Sequence, residues 1–162
     1  MVWMKWLGRL VATLTLLVMG LAADGSWRWK EGSAARLARL EAARVPHRVV
    51  RYDRRELDGL PAPVQRYFRA ALTDGQAVIA AVSIRQVGTL NMSATAEQWT
   101  PFTSQQRVIT QRLGFDWGAR VMTVPGVPVH VHDAYIAGAG RLHGALLGLV
   151  PVVSMDDSPE PA

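Results

Sequence analysis

The chain contains no cysteine. That excludes a disulfide framework, cysteine-ligated zinc, iron–sulfur clusters and thiol catalysis. Charged residues are scarce at 19%, and aromatic residues make up 7%. With 49% apolar residues, so little charge is incompatible with a disordered chain. Lysine is nearly absent: Lys5 and Lys30 stand beside 16 arginines. An arginine bias of that kind reads as a GC-rich coding preference, so a pI near 10.4 does not by itself name a basic partner. The chain has no Gly-x-Ser-x-Gly elbow, P-loop, His-Glu-x-x-His pair or calcium loop. At 162 residues it has room for one domain.

The residues that are present are unevenly placed. Residues 28–69 hold 11 of the 18 basic residues and five acids, whereas residues 70–162 hold five basic residues and seven acids. The positive charge therefore comes directly after an apolar N-terminus, where it suits an anionic membrane surface. The later part of the chain is slightly acidic, so a nucleic-acid partner is not expected.

The N-terminus carries an uncharged run from Leu10 to Ala23, preceded by Lys5 and Arg9. Four of the six tryptophans flank it: Trp3 and Trp6 before, Trp27 and Trp29 after. Indole rings favour the headgroup layer, and these four are expected at the membrane interface. Trp6 to Trp27 covers about 32 Å of helix, matching a hydrocarbon core of roughly 30 Å. The reading favours a single-pass anchor over residues 1–25, while a cleaved signal peptide remains the alternative. A short tail before one apolar run reads as a signal-anchor that exports the downstream domain, against a strict positive-inside count. The expected location is a bacterial cell membrane, with the domain outside the cytoplasm.

Residues 26–58 read as a basic collar and linker. Ser33 can cap a helix over 34–44, with Leu37, Leu40 and Ala43 on one stripe and Pro46 as the stop. In residues 59–155, Pro61 and Pro63 open a second helix. Its Val64, Tyr67, Phe68, Ala71 and Leu72 form a buried face expected to pack on a sheet. Past Thr73-Asp74-Gly75 the period changes to two, in runs at 78–84, 107–111, 115–124, 127–136 and 141–153 separated by glycine and proline. The expected class is α+β: an N-terminal membrane helix, two short helices, then a curved antiparallel sheet of five strands forming a partial half-barrel. Residues 156–162 are expected to form a disordered tail.

Leu60-Pro61-Ala62-Pro63-Val64-Gln65-Arg66-Tyr67-Phe68 opens a series of segments. It continues in Gln98-Trp99-Thr100-Pro101-Phe102, Val131-His132-Asp133-Ala134-Tyr135 and Leu146-Leu147-Gly148-Leu149-Val150-Pro151-Val152. Together, in order, they resemble an uncharacterised bacterial family of membrane-anchored, β-rich proteins. The resemblance covers about residues 57–154. It implies a fold similar to the half-barrel of periplasmic lipoprotein carriers such as LolA, and it implies no activity and no catalytic residues. Family members of this kind run on with more strands, so the resemblance implies a C-terminally truncated copy with an open edge at 146–153.

The strand faces supply the candidate sites. Phe115, Trp117 and Val121 share one face, with Tyr135 on the next strand, and are expected to line an apolar site for a lipid, a lipidated protein or another hydrophobic ligand. His130 and His132 alternate on one strand, and a two-residue turn at Ala137-Gly138 would set His143 opposite His132. Three imidazoles could hold a metal for hydrolysis, although no carboxylate orienter lies on that face. Asp133 is expected to pair with Arg120 or Arg141. No catalytic residue, metal or cofactor is assigned. The leading expectation is a non-enzymatic, membrane-tethered binder of a hydrophobic ligand. The alternatives are a metal-assisted hydrolase and a truncated product without independent function.

Overall fold

A computed structural model describes residues 2–45 and 49–157. It is α+β: a long helix α1 (Val2–Ala42), a one-turn 3₁₀ segment (Arg54–Leu57), a short helix α2 (Ala62–Ala71) and six strands. These are β1 (Ala81–Asn91), β2 (Trp99–Ile109), β3 (Gly114–Val124), β4 (Val127–Ile136), β5 (Ala139–Leu146) and β6 (Val150–Asp157). They form one open antiparallel sheet in chain order, β1 to β6.

Four differences from the sequence reading bear on the site. The first is that α1 is unbroken across 25/26, where an anchor and a separate collar helix were expected. Asp24, Gly25 and Ser26 are poor helix formers, but each loses less than about 1 kcal/mol, and packing repays that. The second is that the run 141–153 is split into β5 and β6 by a turn at Leu147-Gly148-Leu149, which gives six strands rather than five. The third concerns α2, which contacts the 3₁₀ segment and, among the described residues, makes no contact with the sheet. Its Tyr67 is 67% exposed, so the expected packing of this helix on the sheet is not what forms. The fourth is at the C-terminus, where Asp156 and Asp157 belong to β6 rather than to a tail; 158–162, and Pro46, lie outside the described residues.

The β4–β5 turn is the expected two-residue hairpin. Ile136 pairs with Ala139, and both loop residues have positive φ, Ala137 at 54° and Gly138 at 92°. That pattern is a type I′ turn, which strongly favours Asn at the first position over Ala. Ala137→Asn is therefore expected to raise stability by about 0.5–1 kcal/mol in chemical denaturation. An unchanged midpoint would mean the turn does not hold this conformation in solution.

The helix lies across one sheet face. Gly25, Trp29, Ser33, Arg36 and Leu40 recur at helical spacing, and four of them meet the sheet. Leu40 is fully buried beside Gly114 and Ile109 at the β2–β3 end. At the other end Gly25 touches the β5–β6 turn, so closely that a Cβ there would stand 2.5 Å from the Leu147 carbonyl oxygen. Between those contacts the helix advances about 22 Å, crossing from the β5–β6 turn to β2.

The opposite face carries Phe102, Phe115, Trp117, Val121, Val129 and Val131, and no helix covers it among the described residues. Even so, Val121 is only 1% exposed and Ala119 is buried. Phe102 and Trp117 approach each other on this face, their ring centroids 6.4 Å apart. Trp117 donates its indole N–H to Gln86, which also accepts from the Ser104 hydroxyl at 2.7 Å.

Candidate functional site: the groove between α1 and the sheet

Strand register stacks three polar rungs under α1. The first holds Ser83, Arg107, Asp116, Ala134, Arg141 and Asp156. The second holds Arg85, Gln105, Gly118, His132, His143 and Ser154. The third holds Val87, Thr103, Arg120, His130 and Ala145. Each rung takes alternate residues of neighbouring strands, so all of them face the helix.

The helix is fixed to these rungs by polar contacts. Arg36 Nε lies 3.3 Å from Asp116 Oδ1, with both side chains largely buried, and Arg36 also donates to Ser33 Oγ at 2.9 Å. Burial raises the Asp116 carboxyl above its ordinary range, against the pull of Arg36. Arg107 Nε lies 2.6 Å from Glu41 Oε1 and holds that carboxyl below its usual value; Arg107 also donates to Ser83 Oγ at 3.0 Å.

Trp29 is the centre of the contact. Its ring stacks on His132 at 4.8 Å between centroids, and lies 5.7 Å from His143 and 5.4 Å from His130. The sequence reading expected this indole in the headgroup layer; the structure gives it an imidazole surface instead. Arg36 lies over the same ring, its guanidinium carbon 5.9 Å from the centroid. Burial, together with Arg36, His143 and Arg141, pushes His132 down to about 4, and burial with Arg120 lowers His130.

His132 and His143 are directly opposite one another, as the two-residue turn required. They stack around an indole instead of converging on a point. Among the described residues no group of three or more His, Asp or Glu is placed to hold a metal ion. His130 Nε2 and His132 Nδ1 are buried without a hydrogen-bond partner. The expected pair for Asp133 does not form either. Asp133 lies on the far face, while Arg141 is 2.7 Å from Asp156 on the near one.

Because α1 crosses diagonally, β1 and the start of β2 are left uncovered. A groove of about 770 Å³ opens there, which falls within the range of small-molecule sites. Its helix wall is Trp29, Ser33, Ala34, Leu37 and Glu41; its sheet wall includes Arg85, Val87, Gln105, Arg107, Gly118 and Arg120. Gly118 leaves the floor open, with no atom within 4 Å of where a Cβ would be. Phe115, Trp117, Val121 and Tyr135 do not line it: they occupy the other face, where Tyr135 lies opposite Phe115. The sequence reading passed over Arg85 and Arg107. The available signal was an arginine at the near-face position of each of β1, β2 and β3 (Arg85, Arg107, Arg120), whose other face is rich in apolar residues.

Fold and groove together define an open antiparallel sheet backed by a long helix, with a side groove between the two layers. The chain belongs to a family of unknown function (DUF6920), whose profile matches residues 58–162. No curated protein and no solved structure matches the chain. The family match covers the sheet and α2, whereas the helix wall of the groove lies ahead of it.

Proposed function

We propose that this protein is a non-enzymatic, membrane-tethered module that holds a hydrophobic ligand in the groove between α1 and the sheet. The observation that carries this reading is the continuity of α1. The helix that forms one groove wall is also the one helix, among the described residues, long and apolar enough to cross a membrane. Its large apolar side chains from Trp3 to Leu21 are all exposed. Trp3 to Ala23 covers about 30 Å, the thickness of a hydrocarbon core, and the Asp24–Arg28 ion pair comes immediately after. Trp29 then lies about 9 Å along the helix beyond the apolar stretch, so the groove begins close to the bilayer surface. Of the basic collar, Arg36 is committed to the sheet, while Lys30, about 10 Å along the helix beyond Ala23, stays exposed within reach of anionic lipid.

Gly118→Leu tests the groove without disturbing the anchor. The new side chain has open space to enter and would fill the floor. The full-length protein, purified in detergent and examined by native mass spectrometry, is expected to carry a stoichiometric lipid-sized adduct. The Gly118→Leu protein is expected to lose it by tenfold or more while folding normally. A wild-type protein without an adduct, or an adduct retained in the variant, would overturn the proposal.

A further inference from the structure

We infer that the ligand is an acidic membrane lipid whose anionic headgroup is held between Arg85 and Arg120; this rests on the groove reading above. The charges of the groove support it. Arg107 is tied to Glu41 and Arg36 to Asp116, so both carboxylates there are already neutralised. Arg85 and Arg120 line the same groove, and among the described residues neither has an ion-pair or hydrogen-bond partner. Two exposed, unpaired guanidinium groups on one concave surface leave a net positive charge that an anion would compensate.

Their placement suits one small anion. Arg85 is on β1 in the rung of Gln105 and Gly118, and Arg120 is on β3 in the next rung, beside Thr103. Two strand spacings and one two-residue step put their Cα atoms about 12 Å apart. Long, forked side chains can close on a phosphate from both sides across that gap. Between them lie the Thr103 hydroxyl and the Gln105 amide, two uncharged donors in the same groove. The bare floor at Gly118 leaves room for the head itself.

The helix wall supplies the other half of the recognition. Trp29, Ala34 and Leu37 present apolar surface along the side of the groove that leads back to the exposed apolar stretch of α1. A free inorganic anion would use the arginines and leave that wall wet. An uncharged lipid would use the wall and leave the arginines unpaired. An acidic lipid uses both.

The experiment uses the full chain in nanodiscs. Binding of phosphatidylglycerol and of diacylglycerol, an uncharged lipid without a phosphate, with identical acyl chains is measured by native mass spectrometry, for the wild type and for the Arg85→Gln/Arg120→Gln double variant. Inorganic phosphate is added as a competitor. The expected result is at least a tenfold preference for phosphatidylglycerol, abolished in the double variant while diacylglycerol binding is unchanged, with phosphate failing to displace the lipid. Equal binding of the two lipids, or a preference that survives the double variant, overturns the headgroup assignment and leaves the groove reading standing. Displacement by phosphate alone assigns the site to a free anion and overturns the lipid. Binding of neither lipid overturns both readings.

Discussion

Gly25→Leu is expected to pull α1 off the sheet and to lower the stability of the full-length protein in detergent by about 3 kcal/mol, near the upper end of overpacking costs. The clash is with backbone. A Cβ at Gly25 stands 2.5 Å from the Leu147 carbonyl oxygen and 2.5 Å from Leu149 Cγ. Leu149 can rotate, but the Leu147 carbonyl cannot withdraw cheaply. Leu147 and Gly148 hold φ of 53° and 73° in a tight turn, and Leu147 N–H is bonded to the Pro128 carbonyl at 2.8 Å. The reciprocal contact is as close, because a Cβ on Gly148 would stand 2.7 Å from the Gly25 carbonyl oxygen. Displacing the helix here also lifts Trp29 from its imidazoles, so the near-ultraviolet circular dichroism of the folded state should fall with the urea midpoint. Gly20→Leu is the control: nothing lies within 4 Å of its Cβ position, and its midpoint should stay at the wild-type value. Equal midpoints for Gly25→Leu and wild type would show that the helix and sheet are not docked through this turn.

Acid is expected to act on the same contact. An unfolded histidine titrates near 6.5, while His132, only 4% exposed beneath Trp29, is held down to about 4. Between those values the unfolded chain binds more protons than the folded one. Stability is therefore fully present above about pH 6.5 and is lost as pH falls toward 4. The loss from His132 is about 3 kcal/mol, and His130, lowered in the same direction, adds to it. Asp116, whose carboxyl burial raises above its ordinary range, acts with the opposite sign and offsets part of this loss. The groups that act on the ring are Arg36 from α1 and Arg141 and His143 from β5, and Asp116 is paired with Arg36. His132→Phe keeps the stacked ring and removes the titration. Its urea midpoint should vary much less between pH 7 and pH 5 than that of the wild type. An identical slope in the two proteins would show that His132 is not buried against the indole. A separate loss follows as pH falls through the ordinary carboxylate range, because Glu41, held low by Arg107, stays charged in the folded chain after the unfolded chain has taken up its proton.

Much of the sheet was legible in the chain. Alternation along 115–124 and 127–136 placed β3 and β4 within a residue, because a side-chain period of two is a local property of extended backbone. A two-residue turn at Ala137-Gly138 was one possible register, and the structure adopts it, setting His132 opposite His143. Pro61 and Pro63 opened α2 where expected. The break at Leu147 was not legible, because a leucine with positive φ carries no turn signal; the glycine beside it was the only clue. Nor was the destination of α2. Its apolar stripe suits any apolar surface, and spacing alone does not say which one it meets.

The groove was not legible for a related reason. Apolar residues at 115, 117 and 121 were expected to line a ligand site; they lie on the face away from α1, while the groove formed over the polar face. That outcome required a helix placed far ahead in the chain to lie across arginines, histidines and aspartates, with Arg36 paired to Asp116 and Glu41 to Arg107 across the two layers. Sequence by itself determined the elements that depend on neighbours: the strands β3 and β4, the turn at Ala137-Gly138, the α+β class and the apolar N-terminal helix; of β2 (Trp99–Ile109) the run read at 107–111 caught only the end. Only the tertiary structure decided which sheet face the helix would cover, which arginines would stay unpaired and where a cavity would remain. Those depend on contacts between residues many tens of positions apart, such as Arg107 with Glu41, Arg36 with Asp116 and Gly25 with Leu147, and no local period records them.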